Sequence, residues 1–438
     1  MNNHDTYVTL DIGTSTVRVI IGEMSNGTLN IIGVGEAESE GIRKGSIVDI
    51  DETVRSIRSA VEKAERMVGL KVENIIVGVS GNHIQLQPCH GVVAVSSEDR
   101  EIGDEDIIRV IDAAQVVSVP PEREIVNVHP KQFIVDGLDE INDPRGMIGV
   151  RLEMEGTIIT ASRTMLHNLL RCVEKAGLNI ADIALQPLAA GSFALLKDER
   201  SLGCALVDIG GGSITVSVFK NNVLQGTSVL PFGGDHITND ISICLRTSTS
   251  EAEKVKKEYG CAYIDHASDD ELFEVSEIGS DDLQEYSQAD LAQIIEPRME
   301  EMLGLVHKEV QKLGFKDVSG GYVMTGGTAK MPGVLELARE VLQKNVRMAV
   351  PDYIGVREPQ YTNGVGLIHY AHRSARIQGK EIAAGVAQVN HDPAEERQER
   401  SAKKQQKQKQ KQQPEQEKQK DQPGVKKRVS KLFKVFFE

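Results

Sequence analysis

No C-x-x-C pair occurs among the five cysteines (Cys89, Cys172, Cys204, Cys244 and Cys261), and their odd number and wide scatter offer no disulfide framework. Reduced, buried thiols in a cytosolic protein are the expectation. No apolar run approaches the roughly 18 residues that a membrane span requires, and the polar start, Met1 to Tyr7, leads straight into a strand. Neither secretion nor membrane spanning is expected. Positive charge is scarce over most of the chain. Of the formal charge of -15, residues 401–438 carry twelve Lys and Arg against four acids, net +8, which leaves -23 on residues 1–400. Such a body repels nucleic acid, whereas the tail attracts anionic surfaces.

A length of 438 residues exceeds one ordinary domain and suits two cores joined by a hinge. Tyr7 to Ile12 reads as a strand, Gly13-Thr14-Ser15 as a polar turn, Val17 to Glu23 as a second strand, Asn26-Gly27 as a hairpin turn and Leu29 to Gly35 as a third strand. The same meander returns about 200 residues later: Ala205 to Ile209, Gly210-Gly211-Gly212-Ser213, Thr215 to Phe219, Lys220-Asn221-Asn222 and Val223 to Leu230. An internal duplication follows. Each copy runs on into helical periodicity, Asp51 to Val68 after the first and His236 to Tyr259 after the second, so each lobe is an α/β unit.

Between the copies, strand-like stretches (Gly91 to Val95, Ile125 to Val135, Gly156 to Thr160) and a helix near Asp104 to Val117 form a block large enough for an inserted subdomain. From about Gly379 the chain turns to Lys, Gln and Glu, a composition that cannot bury enough surface to offset chain entropy. The expected organisation is a first lobe over 1–81, continued by 166–200 and 364–379, with an inserted subdomain over 82–165. A second lobe over 201–363 includes a smaller subdomain at about 240–300. A disordered tether over 380–424 and a terminal amphipathic helix over 425–438 complete it.

The two duplicated turns carry the chemistry. Asp11-Ile12-Gly13-Thr14-Ser15 and Asp208-Ile209-Gly210-Gly211-Gly212-Ser213 each place an aspartate at a strand end and small residues in the turn. Such a turn can aim several backbone N–H groups at a phosphate, and the hydroxyls add donors. One turn is only a hairpin; two in facing lobes can close on a triphosphate while Asp11 and Asp208 hold Mg²⁺ through its retained waters. Gly326-Gly327-Thr328, after the strand Gly321 to Met324 and before a helix over Val334–Leu342, offers backbone that can lie flat against a base or sugar.

These patterns resemble the actin, Hsp70 and sugar-kinase superfamily: two phosphate turns, an adenosine turn and two connecting helices. The helices correspond to Gln186-Pro187-Leu188-Ala189-Ala190-Gly191 and Asn363-Gly364-Val365-Gly366-Leu367. The resemblance implies an actin-like, ribonuclease H-like α/β fold of two duplicated lobes that binds ATP with Mg²⁺, any hydrolysis being weak. It puts Gln186 where the superfamily positions the attacking water, although a helix-start amide before Pro187 explains the same residue. Gly233 and Gly234 resemble a second adenosine-side turn. Glu253, Lys256 and Lys257 resemble the helix that reaches over the ribose and base, and a solvated helix face would carry the same letters.

Beyond the shared clamp, Glu40-Gly41-Ile42-Arg43-Lys44-Gly45, Gly81-Asn82-His83, Pro231-Phe232-Gly233-Gly234-Asp235-His236 and Ile294-Ile295-Glu296-Pro297-Arg298 resemble the FtsA family of bacterial cell-division proteins, from Tyr7 to about Gln378. That family carries an inserted α+β subdomain in its first lobe. The resemblance implies self-polymerisation, recruitment of the tubulin-like protein FtsZ and other division proteins, and a peripheral position on the cytoplasmic face of the membrane at the septum. Arg298 is a partner contact by position, or a helix-surface arginine by default.

On a helical wheel of residues 425–438, Val425, Val429, Leu432, Phe433, Phe436 and Phe437 share an arc of about 140° opposite Lys427, Lys431 and Lys434. A basic amphipathic segment of this kind suits an anionic lipid surface. Six apolar side chains at roughly 1.5 kcal/mol each and about 1 kcal/mol per basic residue are offset by about 1 kcal/mol or more for each of some fourteen residues ordered. One tail therefore binds weakly, and a polymer of tails binds tightly. Rival readings are a small-molecule kinase of the same fold, for which no catalytic base stands out beyond Asp11 and Asp208, and a pilus-assembly ATPase, which the basic tail fits poorly. A chaperone would need a β-rich domain after Gln378, where only the tether and tail follow.

Overall fold

In the computed structural model, residues 5–43, 45–279, 283–379 and 385–388 are described. The tail residues named above lie outside them, from Val425 through Lys427, Val429, Lys431, Leu432, Phe433, Lys434 and Phe436 to Phe437.

Two five-stranded sheets repeat one topology. The first runs Thr28–Glu38, Thr16–Ser25, Asp5–Ile12, Asn74–Val79, Asn179–Leu185; the second runs Val223–Leu230, Ile214–Lys220, Cys204–Ile209, Tyr322–Thr325, Val346–Met348. In each, three antiparallel strands of a meander are followed by two parallel ones. Asn26 and Gly27 (φ 50° and 78°) and Asn221 and Asn222 (φ 54° and 61°) supply the paired left-handed residues that a tight hairpin needs. The central strands are buried on both faces, which is why Cys204, Ala205, Leu206 and Val207 read as a continuous apolar run.

The helix Ile50–Val68 packs Val54, Ile57, Ala60, Val61 and Ala64 on the first sheet. Asp49 caps its start by accepting from the Glu52 amide at 2.9 Å, and Gly69 ends it in the left-handed region. In the second lobe, Gln288–Lys312 begins at a Ser287–Asp290 capping box and buries Leu291, Ile295, Met299, Met302 and Val306 in the sheet core. Inserted within the first lobe, ahead of its strand Asn179–Leu185, the strands Gln85–Ala94, Arg123–Val135, Leu138–Ile141 and Arg151–Ser162 form a four-stranded sheet that shares its own core with the helix Asp104–Ala114. The connecting helices Gln186–Ala194 and Thr362–Gln378 cross where a Cβ on Gly366 would lie 2.8 Å from the Ala189 carbonyl oxygen, so only glycine allows the crossing.

Two expectations need correction. The periodic stretch His236 to Tyr259 is two helices, Gly234–Cys244 and Thr249–Tyr259. Arg246 adopts φ 50°, the Thr247 hydroxyl donates to the Ser276 carbonyl at 2.9 Å, and Ser248 caps the second helix through the Glu251 amide. The expected tether from 380 also gives way in part: Val386–Gln388 pairs antiparallel with Leu70–Val72. The Gly385 amide donates to the Thr6 carbonyl at 3.1 Å, and Val386 packs on the first-lobe core. This short apolar stretch finds a partner that the surrounding composition hides.

Candidate functional site

The phosphate-turn candidates meet. Gly13 N–H donates to Thr16 O and Gly210 N–H donates to Ser213 O, both at 3.0 Å, so the two turns close in the same way. They touch at their tips: a Cβ on Gly211 would lie 1.9 Å from Ser15 Oγ, and one on Gly212 would lie 2.4 Å from the Thr14 methyl. Ser15 Oγ donates to Asp235 Oδ1 across the same seam at 3.2 Å.

Behind the tips opens a cleft of about 820 Å³. Its wall includes Asp11, Gly13, Thr14, Ser15, Gln186, Asp208, Gly210, Gly211, Gly212, Ser213, Glu253, Lys256, Lys257, Gly326, Gly327 and Thr328.

Two carboxylates sit at its base. Asp11 accepts from Gln186 Nε2 at 2.6 Å, and Asp208 accepts from Asn363 Nδ2 at 2.9 Å. Burial pushes the Asp11 carboxyl up to about 6; Arg18 opposes the shift and the charge of Asp208 adds to it. Burial likewise raises Asp208, against Asn363 and Arg18. Gln186 is largely buried in the cleft wall, and its amide nitrogen is engaged by Asp11, whose carboxylate it orients.

The adenosine-side residues divide. Gly326 (φ 94°) lies against Asp208 and the Ile209 carbonyl, and Thr328 Oγ1 donates to Gly210 O at 2.9 Å. Lys256 is buried, and its ammonium is taken up by the Gly234 carbonyl at 3.0 Å, Thr238 Oγ1 at 2.7 Å and Glu253 at 2.6 Å. Lys257, far more exposed, pairs with the other Glu253 oxygen at 3.1 Å. Burial alone would raise Glu253, but the two lysines and Thr238 hold it below the usual carboxylate range.

Gly233 and Gly234, expected at the ligand, do not line the cleft. They pack behind the second turn, where the Gly234 and Asp235 amides donate to Gly210 O and Gly211 O at 3.0 and 2.8 Å. Their smallness lets them pack on the turn's carbonyls. Arg298 lies elsewhere, on Gln288–Lys312, bonded to Asp240 at 2.6 and 3.1 Å and to Glu301, beside a second cavity of about 390 Å³.

Sequence reading missed Arg18, which pairs with Glu36 at 2.6 Å in the cleft wall, and also Asn363, Asp235 and Lys330 as lining residues. A signal for Arg18 existed: counting back from the first turn places it opposite Asp11.

The family model for cell division protein FtsA matches residues 205–366, and a model for the SHS2 domain inserted in FtsA matches residues 81–160. Cell division protein FtsA of Bacillus subtilis (strain 168) is 63% identical over 382 residues, 87% of each chain. The chain belongs to the FtsA family. FtsA of Escherichia coli (strain K12) is 34% identical over 383 residues, 84% of this chain and 90% of that one.

Among solved structures, MreB 5 of Spiroplasma citri bound to AMPPNP matches with a TM-score of 0.53 at 13% identity, covering 86% of this chain and 99% of that one. The PilM-PilN type IV pilus biogenesis complex matches with a TM-score of 0.56 at 15% identity, covering 83% and 98%. At these identities the likeness shows the fold alone. The FtsA-family chain is thus an actin-like cell-division protein whose inserted four-stranded block coincides with the SHS2 match.

Proposed function

We propose that this FtsA-family chain binds ATP with Mg²⁺ in the cleft, polymerises on the cytoplasmic face of the membrane at the septum, and holds FtsZ there through its C-terminal segment. The observation that carries the nucleotide reading is the tip-to-tip meeting of the two duplicated turns above Asp11 and Asp208. Seven carboxylates against four cations line the cleft, so a bare triphosphate is repelled more strongly than a magnesium-bound one.

The donor set fits magnesium held indirectly. Among the described residues no group of three or more His, Cys, Asp or Glu side chains can hold a metal. Two carboxylates facing one cleft suit an ion that keeps its waters and takes phosphate oxygens. Asp11 and Asp208 would hold those waters, Gln186 and Asn363 would keep the carboxylates aimed, and the bound ion would supply neutralisation of phosphate charge. Gly13, Thr14, Ser15, Gly210, Gly211, Gly212 and Ser213 would meet the phosphates, with Gly326, Gly327 and Thr328 against the base or sugar. Glu253 and Lys257 would border the ribose. The relatives' shared name, cell division protein FtsA, and the actin-like fold support partners at the division ring and filament formation. The cavity beside Arg298, where Ile243 is 65% exposed, is the surface we assign to the partner.

Electron microscopy of the full chain on an anionic lipid monolayer with ATP and Mg²⁺ tests assembly and anchoring together. Filaments are expected, and none when residues 425–438 are removed. In liposome co-sedimentation, Phe433→Glu is expected to weaken binding at least about tenfold, because it removes a buried ring and adds a charge. Unchanged co-sedimentation would mean that the tail is not the anchor.

A further inference from the structure

The second lobe presents a sheet face that no described residue covers. The strands Leu272–Ser276 and Leu283–Ser287 pair only with each other. Phe273 and Val275 enter the second-lobe core on one side, with Tyr286 packed against it. The outer side sets Leu272 beside Ser287, Glu274 beside Glu285 and Ser276 beside Leu283. Leu272 is 51% and Leu283 55% exposed. Like charges directly opposite one another destabilise a hairpin, yet among the described residues neither the Glu274 nor the Glu285 carboxylate has an ion-pair or hydrogen-bond partner.

The surrounding stretch shares this character. Residues 258–297 contain twelve Asp and Glu and no Lys or Arg. Arg246, bonded to Glu277 at 3.2 Å, is the one cation bonded to this stretch among the described residues. An acidic face edged with leucines calls for a basic segment with apolar side chains.

The chain itself carries one. Residues 425–438 hold Lys426, Lys427, Arg428, Lys431 and Lys434 against the single acid Glu438, beside the apolar set that includes Leu432 and Phe433. Thirty-six residues separate Gln388, the last described residue, from Val425. Fully extended they span at most about 130 Å, far beyond the roughly 21 Å radius of gyration expected of a body of this size. The segment can therefore reach any face of its own molecule.

We propose that, away from lipid, residues 425–438 dock on this hairpin face, their lysines against Glu274 and Glu285 and their apolar side chains against Leu272 and Leu283. Docked, the segment is shielded from non-specific contact, and an anionic membrane competes for the same side chains. The competition with lipid rests on the anchor reading above; the docking itself does not. Tethering gives the segment an effective concentration on the order of 1 mM, so a contact with a Kd of about 1 mM is half occupied.

Hydrogen–deuterium exchange of the full chain and of a chain ending at Gly424, both without lipid, tests the proposal. Amides of Leu272–Ser276 and Leu283–Ser287 are expected to exchange about twofold or more slowly in the full chain. The difference should shrink at high salt and vanish in the Glu274→Gln, Glu285→Gln double variant, whose exposed substitutions leave the hairpin intact. Equal exchange in the two chains overturns the docking, as does protection that survives both substitutions. Anionic vesicles are expected to abolish the protection as they bind the full chain; protection retained on vesicle-bound protein overturns the competition. Failure of the tail to bind vesicles, with the lipid-free difference intact, overturns the anchor reading and not the docking.

Discussion

Asp11→Asn is expected to stabilise the ligand-free protein and to cripple its use of magnesium. Burial raises the Asp11 carboxyl from 3.8 to about 6. The folded state therefore binds its proton more tightly than the unfolded state does, and between those values stability falls as pH rises. The penalty is complete above pH 6 and absent below about 3.8. At neutral pH it amounts to about 3 kcal/mol at most, because Asp11 is both buried and faced by Asp208.

Asparagine removes the charge and keeps an oxygen to accept from Gln186. Thermal unfolding at pH 7.5 should show a midpoint a few degrees above the parent's, with the gain disappearing toward pH 4. Magnesium-dependent ATP affinity should meanwhile fall about 10- to 100-fold, the usual loss when a partner of a metal's shell is removed. A variant that is both less stable and unimpaired would contradict this account of the residue.

Gly233→Ala should damage both the fold and the cleft, although it touches no cleft wall. Its φ of -176° suits any residue, so the demand is steric. A Cβ there would lie 2.3 Å from Gly211 O and 2.6 Å from Gly210 O, both backbone atoms of the second turn that cannot rotate away. Displacing the helix Gly234–Cys244 breaks the two hydrogen bonds that the Gly234 and Asp235 amides donate to those carbonyls. A loss of about 1–3 kcal/mol of stability is expected from overpacking, together with a loss of ATP affinity.

Gly327→Ala is the control. Its Cβ would meet only the Gln360 Cβ at 3.9 Å, so folding should be unaffected although Gly327 lines the cleft. Chemical denaturation of the two variants side by side distinguishes a turn held from behind from a general intolerance of methyl groups.

The contrast between these glycines marks how far the letters reach. The meander, the Asn-Gly and Asn-Asn turns and the two Asp-led loops were legible because they are local: strand period, turn chemistry and duplication are written within about thirty residues each. What stayed hidden was decided by distant neighbours. The break at Leu245–Ser248 depends on Thr247 bonding Ser276, 29 residues away. The strand Val386–Gln388 depends on an open edge at Leu70–Val72. Lys256 looks like a solvated helix lysine until Thr238 and Gly234 from the preceding helix surround it.

Gln186 illustrates an intermediate case. Its place at a helix start before Pro187 was plain, but its bond to Asp11 across 175 residues was not, and that bond decides what its amide can do. Asn363 opened the second connecting-helix pattern with no role attached to its amide, yet it makes the matching bond to Asp208 from that helix. The site's symmetry, one amide on each carboxylate, follows from the duplication only once both lobes are folded.

Isothermal titration of the full chain with ATP, in Mg²⁺ and in excess chelator, bears most directly on the clamp formed by the two turns. Saturable uptake of about one ATP per chain is predicted with magnesium, and at least about tenfold weaker binding without it. Absence of saturable uptake in magnesium, or equal affinity with and without the ion, would contradict a shared triphosphate site over Asp11 and Asp208.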